Sequence, residues 1–74
     1  IVATGSSALV TLRAGETELR VNNEVAKANS AIFITPKTEI DLPIYVKNQS
    51  DGSFIVGIKV PQLTDILFNF LIVN

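Results

Sequence analysis

Tyr45 and Lys47 stand two residues apart in the run Ile44-Tyr45-Val46-Lys47, and the amide of Asn48 follows at once. An aromatic ring with a polar end, a cation and an amide therefore share one short segment. That set suits contact with a sugar or a polar receptor group. Phe68 and Phe70 lie at i, i+2, a spacing that serves a stacking platform or, more ordinarily, a packed core. Catalysis has less to draw on. The chain has no His and no Cys, so neither a Ser-His nor a Cys-His nucleophile system can be assembled. Glu16 and Glu18 are the nearest carboxylates of matching sidedness, the raw material of a glycosidase pair, but they flank an expected surface turn where solvated carboxylates are ordinary. Gly5, Gly15, Gly52 and Gly57 are isolated from one another and form no phosphate-cradling loop. The acidic residues are scattered without the spacing of a calcium loop. The expectation is a non-catalytic chain with no cofactor and no metal.

Seventy-four residues make one domain, spanning 1–74. A fold this small buries only about 60% of the surface its unfolded chain exposes. Such folds usually gain stability from disulfides, a metal or oligomerisation, because a lone core rarely supplies more than ~3–5 kcal/mol. The absence of Cys and His removes the first two and leaves oligomerisation. Composition points the same way: 47% of residues are hydrophobic and only 18% charged, so a monomer would leave much apolar surface in water. The net charge is −1, with the six basic residues spread singly; this argues against nucleic-acid partners. No apolar run approaches the ~18–20 residues of a membrane span, so no membrane insertion is expected. A start at Ile1 without Met fits a processed chain or a segment of a longer one.

These residues must be carried by strands, because the apolar period is two throughout. Six are expected: 8–13, 17–21, 31–35, 44–47, 54–59 and 66–74, broken by clusters of Gly, Pro, Asn, Asp and Ser. In the second, Thr17, Leu19 and Val21 face one way and Glu18 and Arg20 the other, so one face is buried and one wet. Residues 25–30 read as a connection with room for one helical turn. Residues 48–52 read as a hairpin loop in which Asp51-Gly52 is the turn signal, and Asn48-Gln49-Ser50 matches the N-glycosylation pattern. Gly57 inside a strand implies a bulge or the close approach of another backbone. Six short strands at this spacing give an all-β fold, a small antiparallel β-sandwich or barrel that is oligomeric.

The third and sixth strands are apolar on both faces and are expected at the centres of sheets, one face on the core and the other on a partner. Ile32, Ile34, Leu67, Phe68, Phe70, Leu71 and Val73 are accordingly the expected self-assembly surface. Asn69 and Asn74, in or beside the last strand, need hydrogen-bond partners if buried; on a symmetry axis such an amide would bond its own mates, and an edge or turn contact is the plainer alternative. Ile1, Val2 and Ala3, spaced from the first strand by Thr4–Ser7, form a candidate arm that would pair with a neighbour's sheet edge. Tyr45, Lys47 and Asn48 are the candidate ligand contact.

The run VAKANSAIFITP (25–36), then IYVKN, SFIVGI and the terminal FNFLIVN, resembles small β-modules at the ends of bacteriophage tail-fibre and extracellular bacterial proteins. It is also loosely similar to the H-type lectins, which are trimeric six-stranded sandwiches. The resemblance covers about residues 15–74 and implies a trimeric or fibrous structural module on an extracellular or virion surface. Its partners would be copies of itself, with a surface glycan or receptor as the alternative.

Overall fold

The structure, a computed structural model, covers Ile1–Asn74. It contains six strands and no helix: β1 (Ser7–Leu12), β2 (Glu18–Asn22), β3 (Ala31–Pro36), β4 (Ile44–Ser50), β5 (Ser53–Ile58) and β6 (Ile66–Val73). All pair antiparallel in two three-stranded sheets, ordered β1-β6-β3 and β2-β5-β4. One hydrophobic core draws on both sheets. Leu12, Ile66, Phe68, Phe70 and Ile72 come from the first; Val21, Ile44, Phe54, Val56 and Ile58 come from the second. Phe54 and Phe70 join the sheets in an edge-to-face contact, ring centroids 5.2 Å apart.

β6 alternates strictly. Ile66, Phe68, Phe70 and Ile72 are buried, while Leu67, Leu71 and Val73 are exposed. It is the central strand of its sheet, as expected. β3 is not central but an edge, because β6 alone lies beside it in the ladder. Its Ile32 and Ile34 turn inward and pack against the core, and Phe33 points out. Phe68 and Phe70 are fully buried within their own chain, and Ile32 and Ile34 are half-buried on its core side, so the outer face of the sheet does not include these four.

Turns 14–15 and 51–52 each place a glycine in the left-handed region, Gly15 at φ +84° and Gly52 at φ +88°. The second hairpin is tighter than the sequence suggests. β4 runs on to Ser50, which pairs with Ser53, so Asp51-Gly52 alone makes the turn. Asn48-Gln49-Ser50 therefore lies in a strand and not in a loop. The 23–30 connection is built from turns with no helical one, and side chains hold it in place. The Gln49 amide donates to the carbonyls of Lys27, Ala28 and Ser30 at 3.2, 3.1 and 2.8 Å. Asp51 accepts from the Ala28 amide at 2.9 Å, and the Asn74 amide donates to the Val25 carbonyl at 3.0 Å. These bonds satisfy backbone groups that no ladder reaches.

The segment 1–3 is extended but pairs with its own chain. The Asn22 amide donates to the Ile1 carbonyl (2.8 Å), the Ala3 amide donates to the Asn22 carbonyl (3.1 Å), and Ala3 is buried. These bonds tie the segment to the edge of β2 in its own chain.

Phe70→Ala removes the inter-sheet contact and opens a cavity in the only core. The expected loss is ~3–5 kcal/mol, read as a fall in the urea midpoint at unchanged slope; a chain this small then populates the unfolded state heavily.

Candidate functional site

The two sheets turn outward faces of opposite character, and each carries one group of the residues singled out above. On the β2-β5-β4 sheet, the ladder sets Glu18, Gly57 and Tyr45 in one row and Arg20, Ile55 and Asn48 in the next. The register of β4 shifts between Val46 and Asn48, so Lys47 is the bulged residue. Without the bulge, Asn48 would point into the core and Gln49 would point out, because side chains alternate. With it, Tyr45, Lys47 and Asn48 all face solvent, and Gln49 turns inward to hold the 23–30 connection. The structure thus brings the three candidate contact residues together on one face.

Gly57 lies beneath this arrangement. A Cβ built there would meet Lys47 Cδ at 3.4 Å and the Thr17 carbonyl oxygen at 3.5 Å, ordinary contact distances. β5 itself is regular at this glycine, and the bulge expected there lies on the facing strand instead. Lys47 crosses over Gly57 to pair with the Glu18 carboxylate on β2. Both groups are half exposed, so the pair is screened and adds little to stability. Its hydrogen bond and charge, with a smaller contribution from Tyr45, raise the Lys47 pKa above the ordinary lysine value. Beside it, the Arg20 guanidinium donates to Ser53 Oγ at 3.3 Å. Arg20, Asn48, Ser50 and Ser53 rim a shallow depression that includes Ile55. This face is polar and mixed in charge.

The outward face of β1-β6-β3 differs. Ser7, Leu9 and Thr11 come from β1, Leu67, Asn69, Leu71 and Val73 from β6, and Ala31, Phe33 and Thr35 from β3. None is charged. Leu71 sits between Ser7 and Phe33 in the ladder, and Asn69 sits between Leu9 and Thr35. Leu9 and Phe33 are 56% and 57% exposed, and Leu67, Leu71 and Val73 are 39%, 46% and 47% exposed. Five large apolar side chains therefore stand in water on a three-stranded surface, with Asn69 half buried in their midst.

Of the residues named from sequence for assembly, this face contains Leu67, Leu71 and Val73. Leu9 and Phe33 were missed. The signal for Phe33 was present in its position between two inward isoleucines, Ile32 and Ile34, since period two sends it outward. Leu9 needed the register of β1 on β6, which sequence alone does not give. Comparison with protein-family models, curated proteins and solved structures gives no match for this chain.

The Lys47–Glu18 pair has a defined pH signature. A raised lysine pKa contributes stability below the ordinary lysine range, about 10.4, and loses it as pH rises through the folded value. Glu18→Gln should lower the Lys47 pKa toward that ordinary value in an NMR titration of the side-chain resonances. The melting temperature at pH 7 should change little.

Proposed function

We propose that this chain is a non-catalytic structural module whose copies associate through the uncharged outer face of β1-β6-β3. The observation that carries this reading is the face itself: ten outward positions on three strands without one charge, in a chain that has no disulfide. Monomers rarely leave a contiguous apolar surface of this kind in water, and an uncharged surface meets its own copy without repulsion.

The proposed assembly is a trimer, in which the faces of three copies converge, or a filament, which would need a second contact surface besides this one. The resemblance to tail-fibre end modules and trimeric lectin-like sandwiches supports the same reading, together with a closed sandwich subunit and an extracellular or virion-surface location.

A second reading is favoured by the bulge at Lys47, which gathers Tyr45, Lys47 and Asn48 on the opposite face. There the module would bind a surface glycan or receptor. An assembly closed by the β1-β6-β3 faces would leave this polar face outward, so the two readings are compatible.

Sedimentation of the chain at micromolar concentration tests the first reading. The wild type should run as a defined oligomer and Leu71→Glu as a folded monomer; a well-folded wild-type monomer would overturn the proposal. A glycan array tests the second. Binding that Tyr45→Ala abolishes supports it, and either no binding or binding unchanged in the variant counts against this site.

A further inference from the structure

We infer that the shallow depression rimmed by Arg20, Asn48, Ser50 and Ser53 is a binding site for an oxyanion, a carboxylate or sulfate of the kind an acidic sugar carries. The inference deepens the second reading above and rests on it for the sugar. Its own ground is the placement of four donors. On the outward face of β2-β5-β4, the ladder sets Arg20 and Asn48 on either side of Ile55, and Ser50 opposite Ser53. Ile55 is therefore the floor and the other four are the rim. The Arg20 guanidinium donates to Ser53 Oγ at 3.3 Å, and Ser50 Oγ lies 3.3 Å from the same oxygen. The Ser53 hydroxyl accepts from Arg20 and so keeps its own proton to give. None of the residues lining the depression is acidic.

Charge selects the ligand. Glu18, Arg20 and Lys47 are the charged residues of this face, and Glu18 and Lys47 neutralise one another in the chain's one ion pair. Arg20 is left as the uncompensated charge, and it is positive. A guanidinium has five N–H donors in a planar fork, and the bond to Ser53 leaves most of them free. An oxyanion matches this set, because charge-assisted bonds from the guanidinium and bonds from the hydroxyls and the exposed Asn48 amide converge on it. A neutral group would leave Arg20 without a counter-charge. The depression holds about 120 Å³, below the ~300–1,000 Å³ of a small-molecule pocket, so it takes one acidic group and not a whole ligand. Ile55 gives the carbon skeleton of a sugar ring an apolar surface, and Tyr45, one row along, meets the rest of it.

NMR titration of the full chain tests this, with methyl glucuronide as the acidic probe and methyl glucoside as its neutral counterpart. The glucuronide should shift the backbone amides of Arg20, Ser53 and Ile55, bind roughly tenfold or more tightly than the glucoside, and weaken as salt rises. Arg20→Gln should lose about tenfold or more of that affinity, and Arg20→Lys less, since lysine keeps the charge without the fork; amide dispersion confirms the fold of each. Acetate and sulfate, titrated alone, separate the sources. Weaker binding than the glucuronide assigns the acid to a sugar, and equal binding keeps the oxyanion site for a free anion. Equal affinity for the two sugars would overturn the inference, as would an Arg20→Gln chain that binds like the wild type or the absence of shifts with all four probes. If any of these occurs while Tyr45→Ala abolishes binding on the glycan array, the glycan reading survives and only the acidic subsite falls. If the array is blank while acetate and sulfate bind through Arg20, the glycan reading falls and the oxyanion site stands.

Discussion

The contact between Phe54 and Phe70 holds the domain together, because it joins the central strands of the two sheets. Its consequences run outward along β6. Side chains alternate with a period of two, so burying Phe68 and Phe70 obliges Leu67, Asn69, Leu71 and Val73 to leave the core. A slip of one residue would reverse the assignment and put two phenylalanines in water. The exposed apolar face is therefore no independent feature of the surface. It is the reverse side of the core, fixed by the same register.

The other sheet solves a similar problem differently. There the outward positions are polar, and regular alternation is interrupted once, at Lys47. That interruption lets one strand serve two purposes: its outer side presents Tyr45, Lys47 and Asn48, and its inner side gives Gln49 to the 23–30 connection. A bulge on an edge strand also discourages pairing with a foreign strand. The edge of β2 is partly covered by residues 1–3. The sheet with the polar face is thus guarded at both edges, whereas β1 carries no charge, no proline and no bulge along its free edge.

Much of this architecture was legible in the chain. All six strands, the one-sided burial of β2, the turn at Gly52 and the two-sided character of β6 follow from period two and turn chemistry. The errors have a common physical cause. Apolarity marks a residue as wanting cover but does not say from which side, so Phe68 and Phe70 were grouped with Leu67 and Leu71 although alternation separates them. β3 reads as central because both its faces are apolar, yet its neighbours are set by long-range pairing that local pattern does not encode. The shift at Lys47 was invisible for a similar reason. Pairing of residues 1–3 with β2 depends on the path of residues 4–7 around Gly5, which no local preference specifies.

The position of β6 in the chain has a bearing on how the domain comes to exist. β1 and β3 are synthesised early, yet neither touches the other; both wait for the last strand, and Ser7 finds its partner only when Leu71 is made. The β2-β5-β4 sheet has no such delay once Ile58 has been made. Ordering β1 and β3 demands the closure of long loops onto β6, which slows folding, and both lack a strand partner until this single eight-residue strand pairs with them.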